Sequence, residues 1–521
     1  MPSYIASIDS GTTSNRCIIF DVGTLSITAV HQIEHAQIYP QSGYAEHNPE
    51  EIIANIKTCI RQACLTLIHK DPCFTPSDIK SIGVTNQRET LVVWDKISGK
   101  PLANAIVWLD VRTKSLVDEL SALHGSVNCI REQTGLPLST YFSGTKLRWL
   151  VDNNPVIKEK LLNRSALWGT IDSWILYSLT NERVHVTDAS NASRTQLFNI
   201  KTLEWDKDLF EALGVPYCGF PTVCSSYSSS FGTMKEGLLA GVPFCSILGD
   251  QQSALLGQGC INASDIKVTY GTGAFLLMNT KNVPVYNSAG LVATIAWKFG
   301  DEVCYALEGS IAVAGSALQF CRDNLGLFKH VSEVEPLARS VDSSGIVFVP
   351  AFSGLFTPHW DSSARGTIVG MTQYTSKAHI LRAVLDAVAL QVVDVVNAMY
   401  QDTSGTGSSG QDFPRVSELC VDGGMVANSL FCQIQADLLD CRVCVSRVAS
   451  PDNEFRSEAT ALGAALAAGV GIGLWESIES AVAHASEHLN VLHYESKIDA
   501  EKRMKMKKLW QKGLEKSKGW V

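Results

Sequence analysis

The sequence predicts an α/β protein built as two lobes facing a shared cleft. Two observations carry this. Apolar, strand-like runs alternate with stretches of helical spacing along the chain. One local plan, strand, small Gly- and hydroxyl-rich turn, strand, occurs once in each half: residues 4–8, 9–16 and 17–21, then residues 266–270, Gly271-Thr272-Gly273 and residues 274–278. The lobe boundary is expected near Gln258, after Gly249-Asp250-Gln251-Gln252. This gives an N-terminal lobe of residues 1–258 and a C-terminal lobe of residues 259–521.

Helical spacing is clear over residues 49–63, 379–400 and 429–439. Residues 418–428 read as an apolar strand running into Gly423-Gly424 and then a helix beginning near Ala427. Residues 459–475 are mostly Ala and Gly, too weakly apolar for a membrane span, and read as a buried, closely packed helix. Residues 402–410 have the composition of a solvated linker or loop tip. The Lys-rich tail, residues 498–521, reads as a solvated terminal helix.

Composition narrows the function classes. The chain has 521 residues, enough for large cores without disulfide staples. A formal net charge of -9 leaves no basic surplus for neutralising nucleic-acid phosphates. The 15 cysteines are scattered singly and no secretory signal pattern opens the chain, so reduced thiols and a cytoplasmic location are expected. Cys441 and Cys444 form a lone C-x-x-C on a strand-like run. Residues three apart there face opposite sides, so packing is favoured over metal.

The chemistry begins with the loops. Gly- and Thr-rich turns between strands point backbone N–H groups at phosphate oxygens. Thr12, Thr13, Ser14 and Thr272 add hydroxyl donors. Asp9, at the end of the first strand, is placed to hold Mg²⁺ through water. Arg16 would neutralise charge on a transferring phosphoryl group. Each loop alone is an ordinary tight turn; the three in this order are more specific. No G-x-x-x-x-G-K-[ST] occurs, nor the H-R-D and D-F-G pair of protein kinases.

Residues 9–16, 270–273 and 422–424 resemble the phosphate and adenosine motifs of the superfamily uniting actin, sugar kinases and heat-shock chaperone ATPases. Within it the chain resembles the FGGY carbohydrate kinases, most closely their glycerol kinase branch, over about residues 3–475. The blocks that carry the resemblance are Thr85-Asn86-Gln87-Arg88-Glu89-Thr90, residues 104–108, 141–149, 188–195, Gly249-Asp250-Gln251-Gln252-Ser253-Ala254 and residues 366–371. The resemblance implies that each lobe holds an actin-like (ribonuclease H-like) mixed sheet flanked by helices, with the active-site cleft between them. It implies glycerol and ATP as substrates, Mg²⁺, and a homo-oligomer. Matched by position, the polyol ligands are Arg88, Glu89, Tyr141, Asp250 and Gln251, and the nucleotide contacts are Thr12, Thr13, Ser14, Arg16, Thr272, Gly315, Gln319, Gly424 and Asn428. Ser10 stands where the branch usually has Gln. Residues 237–241 lack the Arg that bacterial members use for fructose 1,6-bisphosphate, so neither feature is carried over.

The residue types suit the task. Arg88 and Glu89 supply a donor fork and an acceptor for hydroxyls, where a surface ion pair would be the plain reading. Trp108 would cover the carbon side of a polyol, although alone it would read as core. Asp250 follows the strand-like residues 244–248 and opens a helix. It reads as the catalytic base where a helix cap is the plain alternative. His185 and His359 read as structural. The spacing H-x-x-E-H occurs at His31-Glu34-His35, in a strand-like run, and at His484-Glu487-His488, with no third ligand evident; both read as surface residues. A kinase for another polyol or sugar, and a nucleotide-binding homologue without kinase activity, stay open as alternatives.

Overall fold

The computed structural model describes residues 3–286, 290–403, 415–451 and 455–521. It resolves into two compact units. The first comprises Met1–Ile261, Ala293–Ala306 and Arg447–Asn490; the second comprises Asn262–Val292, Leu307–Ser446 and Val491–Val521. The first change of unit falls after Ile261, and two later segments re-enter the first unit, where a single boundary at residue 258 was expected.

The first unit is centred on a five-stranded sheet. Its strands are β1 (Tyr4–Ser10), β2 (Ser14–Asp21), β3 (Ile27–Glu34), β4 (Ile79–Asn86) and β5 (Phe244–Gly249), in the order β5-β4-β1-β2-β3. β1, β2 and β3 pair antiparallel, while β1, β4 and β5 are mutually parallel. The antiparallel pairs are joined by short turns; the parallel ones need long crossovers. The crossover to β4 carries helix α1 (Pro49–Lys70), started by Asn48, whose side chain accepts the Glu50 N–H, with Pro49 in the first turn. β1 is buried at every position, as a central strand covered on both faces must be. Tyr4, Ala6 and Ile8 share a core with Ile52, Ile56 and Ile60 of α1, while Ile5 points to the other face and approaches Gly469.

That other face is covered by the helix Ala459–Gly471, which packs on β1, β4 and β5 and on α2 (Asp250–Gly257). Its Ala/Gly composition is explained by the close crossing with α2. A Cβ on Gly463 would stand 1.9 Å from the Ser253 carbonyl oxygen, and one on Gly257 the same distance from that of Ala459. Ser246 and Ser253 donate their hydroxyls to the carbonyls of Ala464 and Thr460, each at 2.7 Å. The segment Ala293–Ala306 joins the same unit through backbone and side-chain bonds: the Ala293 N–H to the Gly135 carbonyl at 3.2 Å, and the Gln252 amide to the Ile295 carbonyl at 3.1 Å.

The second unit holds β6 (Ile266–Tyr270), antiparallel to β7 (Ala274–Lys281) and parallel to β8 (Glu418–Gly423), which in turn runs parallel to β9 (Arg442–Ala449). Helices α3 (Gly315–Asp323), α4 (Lys377–Thr403) and α5 (Ser429–Leu439) accompany it. α4 brings Leu381, Val384, Leu385, Val388, Val392 and Val395 into the core, a helical spacing. The Lys-rich tail forms a helix, Ala500–Ser517, whose Arg503, Trp510 and Leu514 are buried; Trp510 donates its indole N–H to Asp394 at 2.7 Å. The tail is therefore docked along one face, where a wholly solvated helix was expected. From Ser404 onward the expected loop 402–410 lies outside the described residues.

Candidate active site

In the first unit the turn after β1 is built as the sequence suggests. The Gly11 N–H donates to the Ser14 carbonyl at 2.9 Å, which reverses the chain into β2. Asp9 ends up in register with Arg16 on β2 and Thr85 on β4. The Arg16 guanidinium pairs with Asp9 and, at 2.9 Å, with Glu458. Attraction to Asp9 above all, then to Glu458, pushes the Arg16 pKa further above its ordinary value. Thr12 accepts the Trp108 indole N–H at 2.9 Å, so the expected carbon-side residue is also a strut of this turn. Ser14 accepts from Gln32 at 3.1 Å, and Thr13 is exposed. Ser10, the departure from the family pattern, is buried and donates to Asn15 at 2.7 Å.

Two glutamines that sequence reading left without a role secure the turn from below. Gln37 donates to the Thr12 carbonyl at 3.0 Å and Gln87 to the Gly11 carbonyl at 3.1 Å. Their signal was present in the sequence only for Gln87, which precedes Arg88.

The end of β4 delivers the charged cluster. Arg88 Nε lies 3.3 Å from an Asp250 oxygen and 3.9 Å from a Glu89 oxygen, and its Nη1 donates to Gln252 at 3.3 Å. Arg194 Nε donates to Glu89 at 2.6 Å. Arg88 and Glu89 are 2% and 1% exposed, whereas the Asp250 side chain keeps 27% of its surface. The surface-ion-pair reading of Arg88 and Glu89 is thereby excluded. Burying several charges costs several kcal/mol per ion unless they are paired; here Arg88, Glu89 and Arg194 pair with one another, and Asp250 keeps an open face. Glu89 has φ of +61°, a left-handed conformation unusual outside glycine. Asp250 follows β5 and opens α2, as expected; its carboxylate also accepts the Gln251 N–H at 2.8 Å.

An aromatic wall adjoins the cluster. Tyr141 packs edge-on against Trp108, with ring centroids 5.4 Å apart, and the Arg194 guanidinium lies 5.9 Å from the Tyr141 ring. Beneath it, Lys146 is fully buried and donates to the carbonyls of Thr140 and Phe142 at 2.9 and 3.1 Å, and to that of Tyr141. Burial pushes the Lys146 pKa down to about 7, against the opposing pull of Glu89 and Asp110. The first unit thus brings together Arg88, Glu89, Tyr141, Trp108, Asp250 and Gln251 around one cluster, and Asp9, Thr12 and Arg16 around one turn.

In the second unit the turn after β6 converges with two others. The Thr272 carbonyl accepts the N–H groups of Ala314 and Ser316 at 2.9 and 3.1 Å, and the Gly271 carbonyl accepts that of Gly315 at 3.0 Å. A Cβ on Gly315 would stand 2.6 Å from that Gly271 oxygen and 3.9 Å from Met425. Thr272, Gly315 and the 3-10 turn Gly424–Ala427 therefore lie together. Thr272 and Gln319 are exposed. Asn428 caps α5, its side-chain oxygen accepting the Phe431 N–H at 3.1 Å; the expected helix start near Ala427 is this cap, with the helix beginning at Ser429.

His185 donates to the Trp168 carbonyl at 2.9 Å inside an aromatic group, and His359 sits 3.4 Å from Asp394, so both have structural partners. His31 is on β3, as expected, but His35 is buried against Asn15 at 3.2 Å and is no surface residue. His484 approaches the Val22 carbonyl at 3.0 Å. No helix among the described residues is long and apolar enough to cross a membrane.

Residues 4–257 match the N-terminal domain, and residues 266–472 the C-terminal domain, of the FGGY family of carbohydrate kinases. The chain is 45% identical to the glycerol kinase of Brucella anthropi over 527 aligned residues, covering 100% of both chains. It is 46% identical to that of Saccharopolyspora erythraea over 529 aligned residues, again covering 100% of both. The crystal structure of Plasmodium falciparum glycerol kinase with ADP superposes with a TM-score of 0.89 at 37% identity, covering 99% of this chain and 98% of the other. The chain belongs to the FGGY family of carbohydrate kinases, with glycerol kinases among its full-length relatives.

Proposed function

We propose that the chain transfers the γ-phosphoryl group of ATP to glycerol, giving sn-glycerol 3-phosphate and ADP. The observation that carries the reading is the partly open Asp250 carboxylate beside the buried Arg88–Glu89–Arg194 cluster, in a chain 45% identical to a glycerol kinase over its full length. Asp250 is assigned as the base: it orients the terminal glycerol hydroxyl and accepts its proton as the oxygen attacks phosphorus in line with the departing ADP oxygen. Arg88 and Glu89 take the remaining hydroxyls as donor and acceptor. Tyr141 and Gln251 complete the polar shell, and Trp108 covers the carbons.

Thr12, Thr13, Ser14 and Arg16 on the first unit, and Thr272, Gly315, Gln319, Gly424 and Asn428 on the second, are assigned to the nucleotide. The donor set at the β1–β2 turn suits Mg²⁺, a hard cation that takes one or two carboxylates and keeps its waters. Asp9 would hold it, with Arg16 bridging Asp9 and Glu458. When bound, the ion supplies neutralisation of triphosphate charge. The reading includes cytoplasmic residence and a homo-oligomer; light scattering and cell fractionation test these.

The test is ADP release with glycerol as acceptor, compared with Asp250→Asn. Turnover is expected to fall at least about 100-fold, the scale of one general base, while ATP still binds. Faster turnover of a ketopentose or another polyol than of glycerol, or an Asp250→Asn variant with unaltered turnover, defeats the assignment.

A further inference from the structure

The cysteine that the sequence pairs with Cys441 faces different company. Cys444 on β9 is buried, and its Sγ lies 3.1 Å from Nδ1 of His493. His493 belongs to the strand Asn490–Tyr494, which pairs with β9. Glu418, at the start of β8, completes the group. One ligand atom from each of Glu418, Cys444 and His493 lies within 4.8 Å of the other two. Cys420 is the register partner of Cys444 across the β8–β9 ladder, so the two side chains share a sheet face and a second sulfur adjoins the group.

We propose that Glu418, Cys444 and His493 form a zinc site, with a fourth position beside Cys420. A thiolate, an imidazole nitrogen and a carboxylate are the three donor types that zinc takes. Metal–ligand distances of about 2.0–2.3 Å in a tetrahedron set donor–donor spacings of about 3.3–3.8 Å. The three atoms are already within a rotamer adjustment of that spacing. The donors come from three different strands, β8, β9 and Asn490–Tyr494, so their convergence is a product of the sheet and not of one helix face. Among the described residues, Arg442 is the cation paired with Glu418, at 3.6 Å. It is already paired with Glu495 at 2.7 Å, so Glu418 can leave it without stranding a charge.

Binding is balanced by proton loss: the Cys444 S–H gives its proton to solvent, the sulfur forms the metal bond, and neutral His493 and ionised Glu418 add lone pairs. No oxidation is involved. The site would tie the last strand of the second unit to β9, and through β9 to β8. The only other such group among the described residues, His484, Glu487 and His488, carries no thiol, and one His484 nitrogen is turned to the Val22 carbonyl.

Cobalt(II) titration of the full chain under thiol-free reducing conditions tests the site. One equivalent is expected to bind with a near-ultraviolet thiolate-to-cobalt band and the strong visible bands of four-coordinate cobalt, and zinc is expected to displace it. Cys444→Ser removes the near-ultraviolet band. His493→Ala and the exposed Glu418→Gln each weaken binding by about 10–100-fold or more, since even outer-shell partners are worth that much. His488→Ala leaves binding unchanged. Zinc raises the melting temperature of the wild type but not of Cys444→Ser. Absence of the thiolate band in the wild type, its survival in Cys444→Ser, or unaltered affinity in Glu418→Gln overturns the proposal. Circular dichroism and retained kinase turnover show that each variant has folded.

Discussion

His47 Nε2 lies 3.1 Å from the side-chain oxygen of Gln37 and can only donate to it. The other ring nitrogen, Nδ1, accepts from Gln87 at 3.3 Å, which fixes the neutral Nε2–H tautomer. The two glutamines hold the Thr12 and Gly11 carbonyls. One buried imidazole thus positions the backbone of the turn assigned to the triphosphate. In His47→Leu both glutamine amides lose a buried partner, at about 1–3 kcal/mol each, and about 1.4 kcal/mol is tenfold. The KM for ATP should rise about tenfold or more, with the KM for glycerol changing by less than about threefold. Equal changes in both, measured by steady-state kinetics, would mean a general loss of structure instead.

The same histidine gives a pH signature. Burial pushes the His47 pKa down to about 3 from an ordinary 6.5. Between those values the unfolded chain binds a proton that the folded chain refuses. Stability therefore falls as pH drops through about 6.5 towards about 3, by roughly 3 kcal/mol at pH 4 from this group alone. Asp172, raised to about 6 by burial, acts with the opposite sign, and His185, lowered to about 4, with the same sign. Both are present in wild type and variant alike and cancel in the comparison. Urea denaturation at pH 7, 5 and 4 should show a shallower acid loss for His47→Gln than for the wild type; parallel losses would refute the role.

Much of this was legible in the sequence, for physical reasons that differ by residue. The β1–β2 hairpin was readable because a Gly- and Thr-rich turn between two apolar runs admits little else. Asp250 was readable because a strand ending in Gly-Asp and followed by a polar, helical stretch places a carboxylate at a strand's carboxyl end. Residues 459–475 were readable as closely packed because Ala and Gly allow backbones to approach. Glu458 was not readable: it meets Arg16 from 442 residues away, and only the return of the Ala459–Gly471 helix to the first sheet brings it there. His35 looked like a surface residue, because alternation on an edge strand does not reveal that the following turn is covered. Lys146 and Arg194 sat inside quoted blocks without a role, since a charged residue in a sequence gives no sign of being buried.

Arg194 carries the next prediction. Its Nε donates to Glu89 at 2.6 Å, and its guanidinium faces the rings of Tyr141 and Phe142 at 5.9 and 5.2 Å. A lysine keeps the charge but loses the planar fork that spans carboxylate and ring. Arg194→Lys should therefore misplace Glu89 and raise the KM for glycerol about tenfold, the effect of about 1.4 kcal/mol, while the KM for ATP stays within about threefold. Steady-state kinetics with each substrate varied in turn decides it, and an unaltered glycerol KM would remove Arg194 from the site.

Gly423 and Gly424 separate folding from binding at adjacent positions. Gly423 has φ of +92°, and a Cβ there would lie 2.3 Å from the Tyr270 carbonyl oxygen. Gly424 has no atom within 4 Å of its would-be Cβ, and its φ is not in the left-handed region. Gly423→Ala forces both a left-handed alanine and a backbone clash, so it should lose about 2–3 kcal/mol or more of stability, read as a lower melting temperature. Gly424→Ala should fold and melt as the wild type does. If Gly424 lies against the nucleotide as assigned, the added methyl instead meets the ligand, and the KM for ATP rises several-fold with glycerol kinetics unaffected. A Gly424→Ala enzyme with both a normal melting temperature and a normal ATP KM would take that glycine out of the nucleotide site. One that melts early would show that the turn needs glycine for folding alone.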